Sequence, residues 1–351
     1  MTDLASTKLE FPFPTPPAPG ESLLVAPGIH WLRMPLPFAL DHINLWLVEE
    51  DDGFTLVDCG YGNKTTRTVW EQLFGTLLRE RPLRRIVVTH CHPDHVGNAF
   101  WLSERFAAPV AMTHAEFLTA HAFAGQHSAY ALEATVELFR RHGMSAEHCA
   151  TMEGRGNQYR RGVPELPLVF ERLLDGDAIG TRDTTWRVIE GHGHSPEHAS
   201  LHSDGLGVLI SGDMLLPRIS TNVAVTAAEA NGDPLRRFLD SLAAFEALAP
   251  ETLVLPSHGL PFRGIARRNA ELRAHHDARL AELEAALEAA GPDGANAGDL
   301  VPVLFQRELD AHQRFFAMGE AIAHLNHLWR KNRIDRSIAA DASIRFQRRR
   351  A

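Results

Sequence analysis

The chain has 351 residues, 44% hydrophobic and 23% charged, the balance of a folded globular protein with room for one large domain and a smaller one. Its formal net charge of -9 argues against a chain built mainly to hold nucleic acid. Three scattered cysteines, Cys59, Cys91 and Cys149, exclude a disulfide framework and fit a reducing, cytoplasmic compartment, and no apolar run of roughly 18 residues is present to cross a membrane.

Met1 to Gly20 carries five prolines and no apolar signal-like core, so it reads as a disordered or extended leader. Short strands are predicted at Gly28 to Arg33, Ile43 to Glu49 and Phe54 to Asp58. The last delivers Asp58 to a strand end, where it either caps a helix or orients metal-bound imidazoles by accepting a ring N–H. A helix over Thr65 to Glu80 stops at Arg81-Pro82. The apolar run Ile86 to Val88 then leads into Thr89-His90-Cys91-His92-Pro93-Asp94-His95-Val96-Gly97. Three imidazoles and a carboxylate crowd one loop at the end of a buried strand. They are more donors than one cation needs, and their nitrogen and oxygen atoms suit zinc, iron or manganese. Cys91, between two donors, is expected to face away from them.

Ala99 to Phe106 reads as helix and Val110 to Met112 as strand, so strands and helices alternate in the α/β manner. Residues 115 to 150 read as helix in two pieces broken at Gly125 and Gly143, and their histidines show no ligand spacing. The basic loop Gly154 to Gly162, which carries Tyr159, either reaches over a site to hold an anionic group or is a solvated turn. The strand Trp186 to Glu190 leads into Gly191-His192-Gly193-His194-Ser195-Pro196-Glu197-His198, where His194 is the best-placed donor and His192 and His198 lie within reach. Gly207 to Ile210 is a strand ending in Ser211-Gly212-Asp213, and an aspartate there can turn one oxygen to each of two cations. Arg218, Ser220 and Asn222 follow as candidate substrate contacts. After a helix over Leu235 to Leu248, the strand Thr252 to Leu255 ends in Pro256-Ser257-His258-Gly259. Every candidate donor thus falls at a strand end, where α/β sheets build their sites.

From Gly264 the composition turns to Ala, Glu, Arg and Leu, and helices are predicted over Ile265 to Ala290, Asp299 to Leu309 and Ala311 to Lys331. This divides the chain into a leader (1–20), a catalytic domain (21–262), a helical C-terminal domain (263–335) and a basic tail (336–351). His275, His276, His324 and His327 lie on helix faces with no third ligand nearby in sequence. From Lys331 onward seven Lys/Arg face two Asp, which reads as a solvated extension.

The set His90, His92, Asp94, His95, His194, Asp213 and His258, in the order H-x-H-x-D-H, G-H-S-P-x-H, S-G-D, S-H-G, resembles the metallo-β-lactamase-fold metallohydrolase superfamily over roughly Leu23 to Phe262. The resemblance implies an α/β fold of the αββα sandwich type. It also implies a first metal held by His90, His92 and His194, a second held by Asp94, His95 and His258, and Asp213 bridging them. Asp213 stands where cysteine-ligand β-lactamases place their thiolate, and Glu197 and His192 replace a glycine and a proline usual in the loop. The motif-bearing part looks most like the glyoxalase II and lactonase branch; the C-terminal part is similar in composition to the winged-helix appendage of related endoribonucleases.

By that resemblance the chain is a metal-dependent hydrolase in which a hydroxide bridging two divalent ions, zinc first and iron or manganese as alternatives, attacks a small thioester, ester or lactone. Asp94 is the candidate for moving protons, and Asp58 for steadying the ligands. Two other readings stay open: a metal-dependent endoribonuclease, and a mono-iron oxygenase acting on persulfides. The expected partner is a small acyl molecule rather than a membrane or, given the charge, nucleic acid, and a homodimer is compatible with the sequence.

Overall fold

In the computed structural model, which describes residues 8–349, side-chain alternation along the strands builds two mixed sheets. The first runs β1 (Leu23–Ala26), β2 (Ile29–Pro35), β3 (His42–Glu49), β4 (Phe54–Val57), β5 (Leu83–Val87), β6 (Val110–Thr113) and β7 (Glu171–Leu173), in space as in the chain. It is antiparallel up to β4 and parallel from β4 to β7. The second holds β8 (Ala178–Gly180), β9 (Thr185–Gly191), β10 (His198–Ser203), β11 (Val208–Gly212) and β12 (Leu253–Pro256), in the order β12-β11-β10-β9-β8. Only its β11/β12 pair is parallel.

Trp31, Trp46, Val57 and Val87 of the first sheet pack with Trp186, Val188, Leu201, Ile210 and Leu255 of the second, so the sheets meet face to face. Their chain neighbours Leu32, Leu45, Leu47, Leu56 and Ile86 point the other way. They meet Trp70, Leu73 and Phe74 of the helix Lys64–Gly75 and Leu102 of the helix Ala99–Phe106. The helix Pro234–Glu246 is tied to the second sheet where Ser241 Oγ accepts the His192 N–H, just past β9. The α/β sandwich expected from the sequence is therefore present.

The chain forms two compact units. One comprises the residues through Ala124, Gln158–Thr221 and Ser241–Asn269, and holds both sheets. The other comprises Gly125–Asn157, Asn222–Asp240 and the chain from Ala270. In this second unit the last part of the helix Ile265–Ala289 is followed by a bridge at Ala295, the helices Ala297–Leu304 and Ala311–Arg330, and an antiparallel hairpin of β13 (Ile334–Ile338) and β14 (Ile344–Arg348). That is the element order of a winged helix.

Several segments differ from expectation. The stretch read as a basic extension is the hairpin: Ile334, Ile344 and Phe346 are buried, and Arg333 and Arg348 both bond to Glu284. The described part of the leader is extended but not disordered, since Glu10 bridges Arg263 and Phe13 packs on the inter-sheet core; Met1 to Thr7 lie outside the described residues. The helix after Asn63 stops at Gly75 rather than Glu80, and the Thr76 N–H turns back to Leu73 O. Gly154 to Gly162 is partly helical, in Ala146–Arg155 and Tyr159–Gly162. Strand β10 escaped sequence reading because His-Ala-Ser-Leu-His-Ser looks polar, yet all six residues are buried between β9 and β11.

Candidate metal centre

The strand ends bring all seven expected donors together in two groups. In the first, one side-chain atom from each of His90, His92, His194 and Asp213 lies within 4.8 Å of the others; in the second, the same holds for Asp94, His95 and His258. Asp213 connects them: its Oδ2 is 3.3 Å from His194 Nε2, and its Oδ1 is 3.5 Å from both His95 Nε2 and His258 Nε2. His90 Nε2 is 2.9 Å from His92 Nδ1 and 3.1 Å from His194 Nε2, and Asp94 Oδ2 is 3.4 Å from His258 Nε2. An ion with bonds of about 2.0–2.2 Å spaces its ligand atoms by roughly 3 to 3.5 Å, which is the spacing found here. His95 Nε2 and Asp213 Oδ1 are, moreover, buried without a hydrogen-bond partner, although they converge on one point. A buried polar atom left so is costly, and a cation between them removes the cost. The residues present thus fit two divalent ions.

The distal ring nitrogens fix which atoms face inward. The Thr89 hydroxyl lies 3.0 Å from both oxygens of Asp58 and donates to that carboxylate, so it accepts from His90 Nδ1 at 3.0 Å. Asp58 Oδ2 also accepts from His95 Nδ1 at 2.8 Å, and the His42 carbonyl accepts from His258 Nδ1 at 2.8 Å. Each partner leaves the Nε2 lone pair for a metal. Asp58 therefore takes the orienting role and not that of a helix cap.

Charge is distributed unevenly. Burial holds the His90 imidazole well down and takes His92 to about 3, so both are neutral donors. Burial opposes a charge on His95 too, but the carboxylates of Asp58, Asp94 and Asp213 outweigh it and hold that group up at about 9. Burial would raise Asp94 and Asp213; the imidazoles of His95 and His258 win, leaving Asp94 at about 2 and Asp213 well below the carboxylate range.

The remaining expected residues make other contacts. His198 is no ligand: its Nε2 accepts the Asp213 backbone N–H at 3.1 Å, and a Cβ at Gly212, whose φ is +52°, would collide with that ring. His192 Nδ1 closes its own loop on Pro196 O at 2.7 Å. Tyr159 does not offer a free hydroxyl, because it donates to the Cys91 carbonyl at 2.6 Å and its ring stacks on Phe123. The exposed Arg218 lies over Phe11, and the Asn222 amide donates to Glu320. Sequence reading missed the supports: Thr89, His42, Glu116, and Asn44, which donates to Pro256 O and Gly259 O around His258. A His at the start of a strand or an Asn inside one carries no local signal, since each acts on a segment distant in the chain.

The fold and donor set define a metal-binding α/β sandwich. A model of the metallo-beta-lactamase superfamily matches residues 39–258, and one of a metallo-beta-lactamase-like C-terminal domain matches residues 280–349. The chain belongs to the metallo-beta-lactamase superfamily. It is 47% identical to a beta-lactamase domain protein from Burkholderia ambifaria, whose crystal structure aligns with a TM-score of 0.90 over 97% of this chain and 98% of that one. It is 30% identical to the metallo-beta-lactamase family protein TTHA1429 from Thermus thermophilus, with a TM-score of 0.77 over 93% and 100% of the two chains. It also resembles the probable metallo-hydrolase YqjP of Bacillus subtilis strain 168, 26% identical over 327 residues that cover 85% of this chain and 91% of the relative.

Proposed function

We propose that the chain is a hydrolase of a small thioester, ester or lactone, using two divalent cations, zinc first. The observation that carries this reading is Asp213, one carboxylate with an oxygen directed at each donor group. When bound, two such ions lower the pKa of a water and polarise an acyl oxygen. The residues supply the rest. His90, His92 and His194 would hold one ion, and Asp94, His95 and His258 the other. Asp94, ionised at any working pH, would accept a proton only weakly. Asp58 and Thr89 keep the imidazoles in the tautomer that presents Nε2.

The C-terminal unit favours a small substrate over nucleic acid. In a winged helix that binds DNA, the third helix presents a face to a groove. Here Ala317 to Leu328 of that helix, apart from Glu320, is buried, and residues 222–233 of the same unit lie against it: Asn326 donates to Ala230 O and Gly232 O, and His327 meets Asp233. The test is turnover of thioesters and lactones beside a fluorescent single-stranded RNA by one metal-loaded preparation. Acyl hydrolysis that His194→Ala lowers at least 100-fold is expected; RNA cleavage without acyl turnover would refute the reading.

A further inference from the structure

Cys91 lies between the donors His90 and His92, and its N–H donates to Glu116 Oε2 at 2.8 Å. The other oxygen, Glu116 Oε1, accepts the Glu197 N–H at 2.8 Å, three residues after His194. Glu116 is fully buried and stands in the first turn of the helix His114–Gly125, directly after β6. Glu197 returns the contact: its carboxylate accepts the Ala115 N–H at 2.9 Å and its carbonyl the Thr113 hydroxyl at 2.7 Å. One carboxylate thus spans the two loops that carry His90, His92 and His194. The other donors are steadied differently, His95 by Asp58, and the His258 loop by Asn44 and His42.

We propose that Glu116 is a positioning residue for one of the two cation positions, that of His90, His92 and His194, and fixes the distance between their loops. The proposal builds on the metal-centre reading. A carboxylate offers acceptors to both N–H groups, whereas a glutamine turns an NH2 toward one of them, so that loop must move away.

The test separates the positions by background. His258→Ala cripples the second position and His194→Ala the first. Zinc titration of Glu116→Gln in the His258→Ala background should show an affinity about 10- to 100-fold weaker than in that background alone. In the His194→Ala background the change should stay within about threefold, by the same reasoning that an outer partner acts through the ligands it touches. Equal losses in both backgrounds, or no loss in either, overturn the proposal. Amide exchange on the unsubstituted, metal-free chain gives a second readout should the variants not fold: Cys91 and Glu197 are both protected if Glu116 bridges them, and open-loop exchange at either overturns it. An unsubstituted chain that takes up no divalent ion refutes the metal-centre reading and this proposal with it, while normal uptake with unprotected amides refutes this proposal alone.

Discussion

Asp58 takes φ of +63°, a left-handed conformation that aspartate and asparagine tolerate best among residues with a Cβ. Its carboxylate receives the Thr89 N–H, the Thr89 hydroxyl and the His95 ring. Asp58→Asn keeps the backbone and the size but sets an amide NH2 where an acceptor is needed. Zinc affinity about 10- to 100-fold lower is expected, with the secondary structure intact by circular dichroism; unchanged affinity would contradict the orienting role. Proton linkage adds a second expectation. In the metal-free chain His95 is held up at about 9 and His258 is also raised, so at pH 7 an incoming cation displaces protons that the folded site binds. Affinity should therefore rise with pH toward about 9, and calorimetry in buffers of different ionisation enthalpy should register proton release at pH 7; none would argue against these nitrogens as ligands. The donors were legible in sequence because each stands at a strand end in a short, dense motif. Glu116 was not, being one acidic residue in a helix's first turn, and nothing local tells that the Tyr159 hydroxyl is taken up by the Cys91 carbonyl.

The helix Ala311–Arg330 shows the same limit at the next scale. Its apolar periodicity is plain, but an almost fully buried run needs a covering segment, and residues 222–233 supply it with Asn222 on Glu320, Asp233 on His327 and backbone carbonyls on Asn326. Glu320 is only partly covered, yet loss of water around its carboxyl lifts that group from its ordinary 4.5 to about 7, against the pull of Asn222 and Arg279. A raised carboxyl means that the folded chain binds the proton more tightly than the unfolded one. Stability is then fullest below about pH 4.5 as far as this group is concerned, and is lost as pH climbs through about 7, by on the order of 3 kcal/mol. Glu320→Gln should remove that slope and make the protein more stable than the unsubstituted chain at pH 8 in urea melts. A variant less stable at pH 8 would show that the ionised carboxylate is favourable where it stands. The hairpin β13–β14 was hidden for a different reason: seven basic side chains mask the alternation of Ile334, Ile344 and Phe346.

Across the unit that holds both sheets, the donors converge because strand ends from the first sheet (β5, beside β4 with its orienting Asp58) and the second (β9, β11, β12) open on one edge, where Asn44 of β3 stitches the His258 loop in place. Without cations that edge gathers five imidazoles and two carboxylates, with buried atoms lacking partners. Ligands that bind only the folded state stabilise it by mass action, so chelation should lower the thermal midpoint by several degrees and readdition of zinc should restore it. A midpoint indifferent to both would mean that no ion binds the folded chain tightly. The sheet order was not readable from composition, since the pairing of β4, β5, β6 and β7 depends on crossovers rather than on local pattern. Among the described residues no helix is long and apolar enough to cross a membrane, in line with the hydropathy of the sequence. The most direct measurement is the metal content of the zinc-reconstituted chain and of Asp213→Ala, by mass spectrometry after exhaustive dialysis. Two ions per chain in the first and fewer than one in the second are expected. A single ion in the intact chain, or two retained by Asp213→Ala, would contradict a dinuclear centre joined through that carboxylate.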